Sequence, residues 1–155
     1  MKLAWNKGSE WHRWDPHVHT PSTLFNNQFK GDWSGFISAI ENVPPTVEAV
    51  EVTDYCVLEG YEDFCQYWEA GRAKNVRFVF PKIEFRLSVE TEKKKGINLH
   101  LLFSPDDPEH VNKIERALGY LTFAYWGHDV PMRPRRFDQP WECFRPVRDQ
   151  GKSCS

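Results

Sequence analysis

The sequence predicts an α/β protein in which strands and helices alternate, as they do in a mostly parallel sheet or in part of a barrel. Short stretches rich in β-branched and aromatic residues recur through the first 125 residues. Segments with a helical spacing of apolar residues separate them. A hydrophobic content of 40% indicates a packed core. Four strands cannot close a barrel, which usually takes about 200 residues or more, so 155 residues suit only part of one.

The first half of this alternation contains two strands and two helices. Pro21 ends the first strand because proline cannot donate to a sheet ladder, and Pro44-Pro45 ends the first helix. The second strand delivers Asp54 at its C-terminal end. The elements predicted in order are a strand over 14–20, a loop over 25–32, a helix over 33–43, a strand over 48–53 and a helix over 60–72.

The second half contains two more strands joined by a charged loop, which predicts a hairpin. Pro81 lies inside the third strand, so we expect a bulge or a break there. Ser104-Pro105-Asp106-Asp107-Pro108 is a helix-entry signal, and apolar residues at helical spacing follow it. The predicted elements are a strand over 77–87, a loop over 90–96, a strand over 97–103 and a final helix that includes Val111, Ile114, Leu118 and Leu121.

The pentapeptide Asp15-Pro16-His17-Val18-His19 in the first strand is the most informative pattern in the chain. Side chains alternate between the faces of a strand, so Asp15, His17 and His19 should project together, and Trp14 and Val18 the other way. Two imidazoles on one face can close on a single metal ion, with a carboxylate to bind it or to orient a ring. This pattern predicts the beginning of a hydrolytic metal site.

Further polar residues recur late in successive strands, where the loops of a βα barrel converge on its active site. Such groups are unfavourable to bury without partners, so a shared site is the economical explanation. Imidazole and carboxylate ligands suit zinc, manganese or iron, and two adjacent ions would serve phosphoester hydrolysis. The candidates are His17 and His19 in the first strand, Asp54 after the second, Glu84 in the third and His100 in the fourth.

Simpler interpretations of the same residues stay open. His17 and His19 would then be solvated strand residues, and Glu84 and Arg86, which share a face, would form an ion pair on a sheet edge. Asp54 would accept hydrogen bonds from the loop that follows it, as aspartate often does at turns. Arg86 is also a natural clamp for phosphate.

Four segments in order carry a family resemblance: Trp14-Asp15-Pro16-His17-Val18-His19-Thr20-Pro21, Val52-Thr53-Asp54-Tyr55, Phe80-Pro81-Lys82-Ile83-Glu84-Phe85-Arg86-Leu87 and Asn98-Leu99-His100-Leu101-Leu102-Phe103-Ser104-Pro105. Together they resemble the N-terminal half of a PHP (polymerase and histidinol phosphatase) domain. Within that superfamily they look most like the PHP module of large ATPase-associated proteins, the TrlF-like group. The resemblance covers roughly residues 10 to 125.

The resemblance implies about half of a distorted (βα)7 barrel with a phosphoesterase centre of one to three divalent ions, Mn, Zn or Fe. It implies that His17 and His19 are ligands, that Glu84 bridges and that His100 is the next histidine ligand. Asp54 would position water or a ligand, and Arg86 would neutralise phosphate. The substrate would be a phosphorylated small molecule or a nucleic-acid phosphodiester.

The chain also departs from the family pattern. Tyr55 stands where many members have histidine, Pro16 replaces a usual leucine and Lys82 replaces a glycine. The family's later motifs, a further histidine and an Asp-x-His pair, have no counterpart after His100. The alternative is therefore a truncated, catalytically incomplete PHP remnant, or a structural module of a larger ATPase-associated protein of DNA repair or defence type. Its partners would be a missing C-terminal half or an ATPase domain.

The domain therefore spans residues 10–127, and residues 128–155 form an irregular, basic, Pro-rich tail. A nucleic-acid-binding arm over 133–148 is a third option, although a formal net charge of −2 lacks the global basic signature of a nucleic-acid binder. With no long apolar run and a polar N-terminus, we expect no membrane partner and a cytoplasmic location. Free thiols are the expected state of the four cysteines, Cys56, Cys65, Cys143 and Cys154.

Overall fold

A four-stranded curled sheet and three helices make up a mixed α/β structure. The computed structural model describes residues 11–131 apart from residues 24, 26, 94, 126 and 127. The alternation predicted through the last helix is confirmed, with boundaries shifted by a few residues. In chain order the elements are β1 Trp14–Val18, α1 Trp33–Asn42, β2 Ala49–Tyr55, α2 Glu59–Glu69, β3 Phe78–Glu90, β4 Gly96–Leu102, α3 His110–Leu118, β5 Thr122–Tyr125 and β6 His128–Pro131.

The larger sheet has the strand order β1-β2-β3-β4. Its first three strands are parallel, whereas β4 returns antiparallel to β3, which confirms the predicted hairpin. The register places Tyr55 beside Glu84 and Glu84 beside His100, so these three residues share one face of the sheet. β5 and β6 form a second, two-stranded sheet, so the first four residues of the segment predicted to be irregular, His128–Pro131, form a strand. Residues 132–155 lie outside the described residues.

The three helices supply the hydrophobic core together with the other face of the large sheet. Asp32 begins α1 as its N-cap, because its carboxylate accepts a hydrogen bond from the backbone N–H of Gly35 at 2.9 Å. The buried core residues on the helices are Phe36, Ile37 and Ile40 of α1, Tyr61 and Phe64 of α2, and Ile114 and Leu118 of α3. Those on the strands include Val50, Val52, Val79, Ile83 and Phe85.

A β-bulge in β1 overturns the predicted arrangement of its side chains. Asp15 pairs with Val50 and Val18 pairs with Val52, so two residues of β1, Pro16 and His17, lie opposite one residue of β2. The extra residue shifts the alternation by one step. Asp15 and Val18 consequently share the helix-covered face, and His17 turns to the opposite face. The prediction that Asp15 projects together with His17 was wrong for this reason.

The bulge predicted at Pro81 is absent, because β2 and β3 pair without interruption from Ala49 and Phe78 to Tyr55 and Glu84. The Pro81 carbonyl accepts a hydrogen bond from the backbone N–H of Phe103 at 3.0 Å, so Pro81 faces the β4 side of β3. A residue's N–H and C=O point to the same neighbouring strand, so the missing N–H of Pro81 costs no bond to β2.

Two remaining expectations concern membranes and thiols. Within the described ranges no helix is both long enough and apolar enough to cross a membrane. Cys65 is a free thiol, as predicted, and the Cys56 thiol donates to the backbone carbonyl of Glu84 at 3.9 Å. Cys143 and Cys154 lie outside the described residues.

Candidate metal centre

Four of the six predicted site residues meet on the face of the sheet opposite the helices. The Nε2 atoms of His17 and His19 lie 3.5 and 3.7 Å from Oε2 of Glu84. Nε2 of His100 lies 4.0 Å from the other carboxylate oxygen, Oε1. The two early histidines approach each other to 3.0 Å between their Nε2 atoms. The strands therefore bring three imidazoles to a single carboxylate.

The backbone explains why these side chains converge. His100 lies directly across the β3–β4 ladder from Glu84, and side chains in such a pair point to the same face. The β1 bulge turns His17 onto that face, and His19, two residues later, follows it. The cluster thus combines residues from β1 and its following loop, from β3 and from β4.

Glu84 is the central residue of the cluster and is only 2% exposed. Its Oε1 accepts a hydrogen bond of 2.5 Å from the side-chain amide of Asn98. In the described part of the chain no hydrogen-bond donor serves its buried Oε2, which faces the two early histidines. A buried carboxylate oxygen without a donor is costly, so a cation between these groups would satisfy it.

The hydrogen bond made by Nδ1 of His19 determines which nitrogen of the ring can bind a cation. Nδ1 lies 2.5 Å from the backbone carbonyl of Thr53, which can only accept, so Nδ1 carries the proton. In the neutral ring Nε2 is then unprotonated and faces Glu84. The ring also stacks on Tyr55 at 5.1 Å between centroids. An outer hydrogen bond of this kind is what usually orients a metal-binding histidine.

The surroundings of His17 favour its neutral form. Partial burial lowers the pKa of His17, and the neighbouring His19, His100 and Lys82 lower it further, while Glu84 acts in the opposite direction. A lowered pKa keeps the imidazole unprotonated, which is the form that binds a metal.

The distances between donor atoms fit a small divalent cation. Ligands about 2.0–2.3 Å from a tetrahedral zinc ion lie roughly 3.3–3.8 Å from one another. The separations of 3.5 and 3.7 Å between Oε2 of Glu84 and the two histidines lie within that range, and the 3.0 Å between His17 and His19 is slightly shorter. His17, Glu84 and His100 also offer donor atoms that all lie within 4.8 Å of one another. Because the two oxygens of Glu84 face different histidines, its carboxylate has the orientation of a bridging ligand.

Asp54 has the contacts of a structural anchor. Its oxygens accept hydrogen bonds from the backbone N–H of Thr20 at 3.0 Å and from the Thr20 hydroxyl at 2.6 Å. Burial raises the pKa of the Asp54 carboxyl, and the bonds from Thr20 act against that rise. Asp54 therefore accepts hydrogen bonds, as the simpler interpretation expects, but in the described structure they come from Thr20, which precedes it in the chain, and not from the loop that follows it. A role in positioning water stays a prediction.

Arg86 lies on the same face of the sheet as Glu84 and is held by aromatic rings. Its guanidinium lies 5.1 Å from the ring centroids of both Phe25 and Tyr55, and Nη2 donates to the Tyr55 hydroxyl at 3.2 Å. The ion pair that Arg86 could form with Glu84 is absent, and no carboxylate described in the structure lies within 4.0 Å of the guanidinium. Arg86 is exposed, so its remaining N–H groups can reach an anion.

A groove of about 330 Å³ lies beside the cluster. His17 and His19 line one part of it, and apolar side chains of α1, including Phe36 and Ile40, line another. Asp15, displaced by the bulge, also lines this groove and accepts a hydrogen bond from the His17 backbone N–H at 3.2 Å. The side chain of His17 is 41% exposed, so a ligand can reach this histidine.

Asn98 and the ion pair of Lys82 with Glu51 also contribute to the site, and neither role was predicted from the sequence. Asn98 shares the face of His100 by simple alternation, so its position was available from the sequence, but its bond to Glu84 was not. Lys82 and Glu51 form a buried ion pair beneath the cluster that no local pattern indicates.

Comparisons of this chain with protein-family models, with curated proteins and with solved structures find no match. The resemblance to the PHP family therefore rests on the four sequence segments and remains a prediction. The structure supports the coarser statement that the chain is a mixed α/β protein with an open, curled sheet.

Proposed function

We propose that this chain is a metal-dependent phosphoesterase domain of PHP type. One observation carries the proposal: the buried Oε2 of Glu84 has no donor among the described residues and faces two imidazole nitrogens at 3.5 and 3.7 Å. His17, His19, Glu84 and His100 would hold one or more Mn, Zn or Fe ions. Three imidazoles and a carboxylate form a donor set that these metals accept, whereas magnesium and calcium prefer oxygen ligands.

The chemistry that this donor set supports is hydrolysis. A bound divalent ion would polarise a phosphoryl oxygen and lower the pKa of a coordinated water. Arg86 would bind a substrate phosphate, because its planar guanidinium suits phosphate oxygens and the rings of Phe25 and Tyr55 restrict its position. His19 would be held in its ligand tautomer by Thr53. The substrate class is a phosphomonoester or a nucleic-acid phosphodiester.

A second candidate function follows from the open sheet. Among the described strands, β1 and β4 each pair on one side only, and such edges invite association with another segment. The chain would then be a PHP remnant or structural module that works with a C-terminal half or an ATPase domain. Either proposal includes a cytoplasmic location, which suits the free thiol of Cys65.

Metal analysis tests the first proposal. The chain is purified without chelators, its metal content is measured by elemental analysis, and the Kd for Zn²⁺ and Mn²⁺ is determined. We expect bound metal in the wild type and its loss in the double variant His17→Ala/His19→Ala. His12→Ala is the matched control, because His12 bonds to Glu48 away from the cluster. A wild type that binds Zn²⁺ no more tightly than the double variant contradicts the proposal.

Hydrolysis separates the two candidates. A generic phosphomonoester and a short single-stranded DNA are assayed with Mn²⁺ present. Activity that disappears in His17→Ala/His19→Ala and persists in His12→Ala supports the phosphoesterase. Specific metal binding without hydrolysis of either substrate supports the structural module instead.

A further inference from the structure

We propose that Lys82 and Glu51 form a positioning pair that holds the β1 bulge and thereby directs His17 toward Glu84. Neither residue would touch the metal or the substrate. The inference rests on the proposed metal centre for its functional meaning, but the geometry of the bulge can be tested without metal.

The ammonium of Lys82 is at the centre of this arrangement. Its Nζ lies 2.6 Å from Oε2 of Glu51 and donates to the backbone carbonyl of Pro16 at 2.7 Å. The side chains of Lys82 and Glu51 are only 12% and 6% exposed. A single buried cation therefore connects β3 to a side chain of β2 and to the backbone of β1.

Both contacts of Lys82 coincide with the bulge. Pro16 and His17 are the two residues of β1 that stand opposite a single residue of β2, and that residue is Glu51. A bulge disrupts the ladder and leaves a backbone group without its regular partner. The Lys82 ammonium supplies a donor to the Pro16 carbonyl at this point, and Glu51 supplies the compensating charge.

Stability alone does not explain why an ion pair is kept in a largely buried position. Removing two charges from water costs several kcal/mol in rough terms, and apolar residues of similar size are often at least as stable. The better-attested use of such a pair is to select one conformation over another. Here the alternative is a regular β1, in which alternation would place His17 on the face of Asp15, away from Glu84.

The position of Lys82 in the chain links the bulge to the ligands. Lys82 lies two residues before Glu84 on β3, and both side chains are on the same face of the sheet. The hydrogen bond from Lys82 to the Pro16 carbonyl therefore holds Pro16, the neighbour of His17, in a fixed position relative to β3. Errors in such supporting contacts typically weaken metal binding about 10- to 100-fold.

The test replaces the pair by neutral residues of similar length. Glu51→Gln/Lys82→Met leaves no unpaired buried charge, and Lys82→Arg keeps a cation with several donors. Asp107→Asn/Lys113→Met is the matched control, because it removes an exposed ion pair near the start of α3. Three readouts are taken for each variant: the midpoint of thermal unfolding, the Kd for Zn²⁺ alone, and the NMR shifts of the His17 ring and of backbone amides 15, 17 and 18 in metal-free protein.

We expect the double variant to bind Zn²⁺ about 10- to 100-fold more weakly and to shift the His17 signals. We expect Lys82→Arg to recover most of the affinity and the control pair to change neither readout. Should the double variant fail to fold, Glu51→Gln alone takes its place, with the same shifts expected in smaller amplitude. Wild-type affinity together with unchanged His17 signals in a folded variant overturns the inference and leaves the metal centre intact. If the wild type binds no Zn²⁺, the proposed function fails, and the His17 signals alone decide the inference.

Discussion

The side-chain amide of Asn98 holds one oxygen of the Glu84 carboxylate and leaves the other turned toward His17 and His19. The Asn98 amide donates to Oε1 at 2.5 Å, whereas Oε2 faces His17 and His19 without a donor among the residues described. Asn98 and the two histidines thus contact different oxygens of the same carboxylate. Asn98 therefore orients the central residue of the candidate metal centre.

Replacing Asn98 by alanine should weaken metal binding while leaving the fold intact. The carboxylate loses the donor that orients it, and loss of such an outer contact typically costs about tenfold or more in affinity. Titration with Zn²⁺ measures the effect. Asn112→Ala is the control, because its amide donates to Glu109 on the exposed face of α3 at 2.9 Å. Equal Kd values for the two variants would show that Asn98 has no orienting role.

Glu84→Gln should abolish metal binding without unfolding the protein. The buried Oε2 has no donor in the part of the chain that the structure describes, so a neutral amide of the same shape should raise the free energy of unfolding of the metal-free chain by roughly 1 kcal/mol. Metal stabilises only the folded form that binds it, so the rise in Tm with added Zn²⁺ should vanish. Thermal unfolding with and without Zn²⁺ checks both effects, with the exposed Glu69→Gln as control. A variant that still gains Tm on addition of Zn²⁺ would exclude Glu84 as a ligand.

Arg86→Lys should raise the KM for a phosphorylated substrate more than it lowers kcat. Lysine keeps the charge but loses the planar fork and the ring contacts to Phe25 and Tyr55. Losing a hydrogen bond to a charged group costs about 1.5–3 kcal/mol, which corresponds to a KM roughly 10- to 100-fold higher. Steady-state kinetics with Mn²⁺ measure the change, and Arg116→Lys on α3 is the matched control. An unchanged KM would remove Arg86 from phosphate binding.

Gly60→Ala should destabilise the fold strongly. A Cβ on Gly60 would lie 1.9 Å from Oδ2 of Asp54 and 2.1 Å from the hydroxyl of Thr20. These atoms are buried and bonded to each other, so they cannot move without breaking their hydrogen bond. Overpacking of this kind costs about 1–3 kcal/mol or more. Denaturant unfolding gives the value.

Gly96→Ala is the control for that substitution. No atom lies within 4 Å of the Cβ that alanine would add at Gly96 in the described structure. Its free energy of unfolding should stay near that of the wild type. A loss in Gly96→Ala as large as in Gly60→Ala would refute the steric explanation.

The contribution of Glu41 to stability should disappear in acid. Its hydrogen bond to Arg72, helped by the Ala73 N–H, lowers the pKa of Glu41 from 4.5 to about 2. A folded pKa below the unfolded value stabilises the protein above pH 4.5, and that stabilisation is lost as the pH falls toward 2. Glu41→Gln should therefore have a lower Tm than the wild type at pH 7, with the difference shrinking between pH 4.5 and 2. Thermal unfolding across that range measures it, and a constant difference would contradict the assignment.

Local patterns in the chain were sufficient to predict the order of elements from β1 through α3 and the β3–β4 hairpin. The helix α1 follows its apolar spacing and its Asp32 cap, and His100 reaches Glu84 because a hairpin pairs the strands on either side of its loop. These features depend on residues a few positions apart, so the sequence carries them directly.

Contacts between distant residues were needed for the rest of the site. The β1 bulge that turns His17 involves Glu51 and Lys82, which lie 34 and 65 positions further along the chain, and no pattern within residues 14–19 reveals it. Asp54 meets Thr20 and Gly60 only after β1, β2 and the start of α2 have packed. Alternation along a strand can be read from spacing alone, but one inserted residue reverses it, and the groups that stabilise the insertion belong to neighbouring strands.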